Sequence, residues 1–191
     1  IGSELLLGNI LNTNAKWLSE ELASLGLPHY RQTVIGDNSI RLKKTILEAS
    51  SRSQILITTG GLGPTQDDIT TETIASCFNT PLEQRKEIWT DIQNKMAKKS
   101  LPIPSSNKKQ TLLPLGAKVI HNEFGTAPGM IWSPLNGFTI MTFPGVPSEM
   151  KQMWKETAIP WLRKHNEING IFKSKVLHFV GISESKLSEE V

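Results

Sequence analysis

The stretch Gln54-Ile55-Leu56-Ile57-Thr58-Thr59-Gly60-Gly61-Leu62-Gly63-Pro64-Thr65-Gln66-Asp67-Asp68 decides the fold. It contains the short, uninterrupted apolar run Ile55-Leu56-Ile57, rich in β-branched residues, the composition expected of a central parallel strand covered on both faces. Glycines follow at once, and helical patterning resumes over 68–78. A buried strand, a glycine turn and a helix in that order are half of a βαβ unit.

Outward from this stretch the same alternation recurs. Leu11, Ala15, Leu18, Leu22 and Leu25 step by four and three residues, with Asn12 as cap and Gly26 as stop, which predicts a helix. Residues 28–35 alternate loosely and read as a strand ending at the turn Gly36-Asp37-Asn38. Leu42, Ile46 and Ala49 mark the inner face of a second helix. Ile88, Ile92 and Met96 mark that of a longer one over 84–99. Residues 117–121 and 129–133 read as hairpin strands. A second buried strand is expected over 138–143, followed by Pro144-Gly145 and a helix from Pro147 with Met150, Met153 and Trp154 inward. Strands alternating with helices predict a three-layer α/β sandwich with a mostly parallel sheet.

With 191 residues, 38% of them hydrophobic, the chain has room for one main core and the beginning of a second. The expected division is a domain over 1–168 and the start of a smaller connecting α+β domain over 169–191. The latter has strand character over 172–180 and a helix-like start over 184–191. Ile1-Gly2 reads as the last turn of a strand whose earlier residues are missing, so a fragment of a longer protein is expected. The net charge of +3 comes from scattered basic residues, which does not indicate nucleic-acid binding. Cys77 is the single cysteine; it excludes an internal disulfide and reads as a core thiol in a reducing compartment. No segment approaches the roughly 20 apolar residues of a membrane span, so a cytoplasmic protein is expected.

In open parallel sheets the ligand crevice lies beyond the carboxyl ends of the strands. Three segments qualify: Gly2-Ser3-Glu4, the loop from Thr58 to Asp68, and the turn from Phe143 to Glu149. Three glycines within four residues let backbone amides approach an anion closely. The loop is not a P-loop, since no Gly-Lys-Ser/Thr ending follows, and the dinucleotide GxGxxG pattern fails at Gln66. One of Asp67 and Asp68 is expected to cap the next helix. The other, beside Thr65, is a candidate ligand for a hard cation or for a sugar or heterocycle. Asn107-Lys108-Lys109-Gln110 offers groups for phosphate oxygens, with solvated lysines as the plain alternative. Gly125-Thr126-Ala127-Pro128-Gly129 either walls a pocket or simply connects a hairpin. Ser148 and Glu149 suit a first helical turn. The four histidines lack zinc-ligand spacing, and no GxSxG elbow is present, so zinc, cysteine-nucleophile and serine-hydrolase mechanisms have no visible constellation.

Taken in order, the segment from Ile1 to Gly8, Asn12-Thr13-Asn14, the loop from Thr58 to Asp68, Asn107 to Gln110, Gly125 to Gly129 and Pro144 to Glu149 resemble the signature segments of the CinA family over about residues 1–165. Ser3 stands where that family usually has threonine. The resemblance implies the molybdopterin-binding fold of molybdenum-cofactor enzymes of the MogA and MoeA type. It further implies hydrolysis of the ADP-ribose pyrophosphate bond to AMP and ribose 5-phosphate, dependent on a divalent metal ion. On this expectation Gly60, Gly61 and Gly63 hold phosphate, while Asp67, Asp68 and Glu4 bind metal or orient water. Gly2, Ser3, Thr59, Pro64, Thr65, Asn107, Lys108, Gly125, Thr126, Pro144, Gly145 and Glu149 line the pocket. The alternative is a binding module without turnover, holding a nucleotide or pterin for another domain. A protein-interaction scaffold is suggested by the family name alone. The deamidase domain that many family members carry is not expected in this chain. A homo-oligomer, a dimer before a trimer, is expected, with apolar surface from Trp89, Trp132 and Trp161.

Overall fold

The computed structural model describes residues 1–165 and 179–190, with the side chains of Glu184, Glu189 and Glu190 excepted. Two strands carry the architecture. β1 (Ile55–Thr59) pairs in parallel with β6 (Phe138–Phe143), Ile55 opposite Thr139 and Thr59 opposite Phe143. β6 continues antiparallel to β5 (Gly129–Leu135), and β5 antiparallel to β4 (Lys118–Ile120), giving the order β1-β6-β5-β4. The sheet is therefore mixed rather than mostly parallel. One of its three pairings is parallel, because two hairpins complete it.

The period of two along each strand distributes side chains to two separate cores. Met141 and Phe143 of β6, Ile131 of β5 and Ile120 of β4 point to one face. After the short α1 (Ser3–Leu6) comes α2 (Thr13–Ser24), whose Leu18 and Leu22 meet them there together with Met150 and Met153 of α6 (Pro147–Met153). Phe138 and Ile140 of β6 and Met130 and Trp132 of β5 point to the other. On that side lie α3 (Ser39–Ser50), α4 (Thr70–Cys77) and α5 (Lys86–Lys98), which contribute Leu42, Ile46, Ile74, Ile88 and Ile92. Helices on both faces of one sheet make the three layers expected from the sequence.

Local chemistry explains the boundaries. Asn12 caps α2 by accepting the Ala15 N–H at 3.1 Å, and Gly26 leaves the helix in the left-handed region at φ 69°. Leu11, counted on the inner face from the sequence, precedes the cap and is exposed. Asn38 caps α3 through the Arg41 N–H at 3.0 Å. Pro147 occupies the first turn of α6, where its missing N–H costs nothing. α6 runs without a break through a π turn (Trp154–Ala158) into α7 (Ile159–His165). Trp154 is fully buried in that turn, edge-on to Trp17 and tilted against Phe143.

Several expectations change. β1 lies at an edge of the sheet, and its residues are mostly half-buried. Residues 28–35 form neither strand nor helix, and Tyr30 is exposed. A second small sheet, β2 (Leu82–Gln84) against β3 (Leu112–Pro114), was not legible in the sequence. Trp132 is buried in the core and offers no surface for an oligomer, while Trp89 and Trp161 are half-buried against the two cores. Cys77 is half-buried and free. The strand expected over 172–180 falls mostly outside the described residues. α8 (Glu184–Glu190) matches the helix expected there. Among the described residues no helix is long and apolar enough to cross a membrane.

Because Trp154 joins α2, β6 and the π turn, Trp154→Ala should remove about 3–5 kcal/mol of stability. Urea unfolding followed by the remaining tryptophans measures this; a loss below about 1 kcal/mol would show that the site collapses around the change.

Candidate functional site

β1 and β6 end side by side at Thr59 and Phe143, so the loops leaving them begin at one place. The Gly60 N–H donates to the Phe143 carbonyl at 2.9 Å, and a Cβ on Gly145 would lie 3.6 Å from the Gly60 Cα. The amino group of Ile1 donates to the Thr59 carbonyl at 2.7 Å, which brings Gly2, Ser3 and Glu4 to the same end. The three crevice segments named from the sequence are thus together.

The glycine loop is held from inside. Thr70, fully buried at the start of α4, donates its hydroxyl to the Gly60 carbonyl at 2.9 Å and its N–H to the Gly61 carbonyl at 3.1 Å. A Cβ on Gly60 would collide with the Ile1 carbonyl, one on Gly61 with the Thr70 hydroxyl, and one on Gly63 with the Asp68 carboxylate. Gly60 and Gly61 also have φ of 91° and 67°, a region that side chains rarely enter. These three glycines are required by the loop's own packing. That packing leaves the N–H groups of Gly61, Leu62 and Gly63 without a hydrogen bond among the described residues. Consecutive free amides of this kind suit an anion.

The aspartates differ from expectation. α4 begins at Thr70 after Ile69, with no side-chain cap. Asp68 instead closes the turn behind it, its Oδ2 accepting the Thr65 N–H at 2.9 Å and the Thr65 hydroxyl at 2.5 Å. Asp67 is exposed and its carboxylate is unpaired among the described residues. Glu4 is exposed, with its carboxylate against Gly2. Among the described residues no three His, Cys, Asp or Glu side chains gather as a metal-holding group.

Lys109 rather than Lys108 reaches the loop, its Nζ donating to the Thr65 carbonyl at 3.0 Å and lying 3.7 Å from Glu72. Lys108 is exposed on the same 3-10 helix (Ser105–Thr111). Asn107 is buried and donates to Gln110 at 2.9 Å, and Gln110 donates to the Leu62 carbonyl at 3.3 Å. Asn107 therefore braces the loop from below. Pro64 and Thr65 lie on its outer side, half-buried and exposed.

On the β6 side, Pro144 is buried, and the Gly145 carbonyl accepts from the Asn14 side-chain amide at 2.8 Å. Glu149 projects from the first turn of α6 to Gly125, and its Oε2 accepts from Asn122 at 2.7 Å. Asn122, almost wholly buried, also donates to the Ala127 carbonyl and accepts from the N–H groups of Phe124 and Gly125. It shapes the loop that carries half-buried Thr126. The ammonium of Lys95, from α5, is bonded to the Asn122 carbonyl and to Asp91.

Sequence reasoning passed over Asn122 and Asp37. Asp37 accepts from both the N–H and the hydroxyl of Ser3 at 2.9 Å, and its own N–H donates back to that hydroxyl at 3.1 Å. Its position in a turn directly after an extended segment was the available signal. Cys77 lies away from these loops, with its sulfur beside the Lys43 carbonyl, and burial pushes its thiol above the ordinary range.

The probable molybdopterin binding domain family matches residues 1–164. A CinA-like protein of Prochlorococcus marinus strain MIT 9313 is 64% identical over the whole of this chain, which covers 44% of that protein. The chain spans about half the length of the curated relatives it matches. Among solved structures, the protein CinA from Thermoplasma acidophilum superposes with a TM-score of 0.75 at 30% identity, covering 87% of this chain and 93% of that one. The molybdopterin biosynthesis enzyme MoaB of Thermus thermophilus, at 16% identity and a TM-score of 0.53, covers 84% of this chain and 86% of its own, a likeness of fold alone. Strand-end loops, glycine turn and whole-chain similarity agree: this chain belongs to the molybdopterin-binding-domain family as one of its CinA-like members.

Proposed function

We propose that this domain binds a small phosphate-bearing molecule, a nucleotide or a pterin, at the carboxyl ends of β1 and β6, and that it does so without chemical turnover. The observation that carries this is the run of free N–H groups at Gly61, Leu62 and Gly63 with the Lys109 ammonium close by. Amides fixed by the loop's packing need no reorganisation to meet an anion, and the lysine adds charge. To the rest of the ligand we assign Ser3, Thr126 and Glu149, on the loops that neighbour this one. The family's molybdopterin-binding description points to the same class of ligand.

Hydrolysis of ADP-ribose-type pyrophosphates is the narrower second reading, favoured by the unpaired Asp67 carboxylate next to this loop. Asp68 already commits one oxygen to Thr65, and no third acidic or imidazole ligand joins the pair among the described residues. Two aspartates alone do not enclose a divalent ion, which would take most of its shell from ligand phosphates and water. Binding therefore stands ahead of turnover.

Calorimetric titration with ADP-ribose and with AMP, each with and without Mg2+, separates the two readings when the mixture is also assayed for AMP release. Saturable ADP-ribose binding with no AMP formed is expected, and Lys109→Ala should weaken it roughly tenfold, a cost of about 1.4 kcal/mol. Metal-dependent AMP release that disappears in Asp67→Ala or Asp68→Ala would replace binding with hydrolysis. Failure of both nucleotides to bind would remove the nucleotide half of the proposal.

The cradle also depends on Gly61. Gly61→Ala combines a positive φ with a collision on Thr70 and should cost about 1–3 kcal/mol. Gly116, at φ 82° with nothing within 4 Å of its added Cβ, should cost only about 1 kcal/mol on the same change. Equal losses in the two variants by urea unfolding would show that the Thr70 contact is not limiting.

A further inference from the structure

An asparagine side chain carries an amide carbon that the next backbone nitrogen can attack, and the described asparagines differ in whether that attack is blocked. Asn12 and Asn38 spend their side-chain oxygens as helix caps. Asn14, Asn107 and Asn122 are buried and donate to Gly145, Gln110 and Ala127. Asn94 lies within α5, where the following N–H, that of Lys95, is part of the helix ladder. Asn79 precedes Thr80, whose N–H donates to the Ala75 carbonyl at 3.1 Å. Asn9 precedes Ile10, whose branched Cβ crowds the adjacent nitrogen.

Asn136 escapes every one of these restraints. Asn136-Gly137 is the two-residue turn that joins β5 to β6, between the paired Leu135 and Phe138. Both residues are exposed, and neither the Asn136 side chain nor the Gly137 N–H makes a hydrogen bond among the described residues. Gly137 brings no side chain to shield its nitrogen, and a Cβ added there would meet nothing within 4 Å. The hairpin turn that ordinarily fixes an Asn-Gly pair holds both residues at positive φ. Here Gly137 has φ 77° and Asn136 is not in that region, so the ordinary lock is absent.

We propose that the Asn136-Gly137 turn is a self-modification site, at which the backbone deamidates the asparagine with water as the only co-reactant. The Gly137 nitrogen gives its proton to solvent base and bonds to the Asn136 Cγ. The Cγ–Nδ2 bond breaks, and the amide leaves as ammonia after taking a proton from water. The product is a five-membered succinimide. Water then adds to one of its two carbonyls and breaks that carbonyl's bond to the nitrogen. Opening at Cγ gives aspartate at position 136; opening at the backbone carbonyl gives isoaspartate, whose main chain runs through the β-carbon. Nothing is oxidised or reduced. Either product adds one carboxylate and lowers the net charge of +3 by one. Isoaspartate also adds one main-chain atom to the turn, directly before the buried Phe138. The turn stands at the start of β6 and the Pro144-Gly145 loop at its end, so this inference does not depend on the ligand proposed above.

The test incubates the whole chain in buffer and in concentrated guanidinium, and reads conversion of each asparagine amide to acid by peptide mass spectrometry. Fragmentation separates position 136 from the second Asn-Gly step, Asn169-Gly170, which lies outside the described residues. In the folded chain Asn136 should convert at least about tenfold faster than Asn12, Asn14, Asn38, Asn107 or Asn122, and within about tenfold of its own rate in guanidinium. Between about pH 7.5 and about pH 8.5 its rate should rise roughly tenfold, because the attacking species is the deprotonated nitrogen. Asn136→Gln should abolish conversion at this position, since the longer side chain closes a less favourable ring. A folded rate more than about tenfold below the guanidinium rate would show that the turn protects Asn136 and would overturn the proposal. Conversion no faster than at the bonded asparagines, or independent of pH, would overturn it equally.

Discussion

The parallel pairing of β1 with β6 sets where everything else must be. Two parallel strands in register deliver their carboxyl ends to one edge of the sheet, so the chain has to turn into helices twice at the same place. Those turns are tight: Gly60 is bonded to Phe143, and Gly145 sits beside Gly60. The loop from β4 to β5 and the 3-10 helix before β3 are then drawn in by single side chains, Glu149 and Asn122 on one side and Gln110 and Lys109 on the other. The site is built by bracing loops against each other more than by any residue placed for a ligand.

Much of this was legible, because it depends on local rules. The helices of the two outer layers follow from apolar steps of three and four residues and from the cap Asn12; Asn38, read as a turn residue, proved to be a cap as well. β6 follows from an apolar run whose residues serve two cores at once. The crevice followed from the rule that parallel strands end together, and it correctly gathered Gly2, Gly60 and Gly145.

What was not legible depends on partners distant in the chain. The Ile55-Leu56-Ile57 run reports that both faces are covered, not how many neighbours the strand has, so its place at the sheet edge could not be read. Residues 28–35 have the alternation of a strand, yet alternation does not supply a ladder. The three-residue strands β2 and β3 are too short for any period. One of Asp67 and Asp68 was expected as a cap because carboxylates favour a helix start; the helix begins at Thr70 with no side-chain cap, and the Asp68 carboxylate turns back to Thr65. Choosing Lys109 over Lys108 required the geometry of a 3-10 turn. Asn122 lies in an unremarkable polar stretch, and only its burial among four partners reveals its role.

The π turn at Trp154–Ala158 holds one residue more than an α turn. The wide turn absorbs that residue, so the helix before it and α7 after it keep the faces that an unbroken α-helix would present. Leu162, fully buried, and Trp161 and His165, stacked with ring centroids 4.0 Å apart, depend on that phase. Loss of one residue within the turn converts it to ordinary α geometry and leaves α7 in phase, whereas loss of one from α7 itself rotates all that follows by about 100° around the helix axis. Among homologous chains this turn should therefore accept a one-residue difference in length that the helix after it does not.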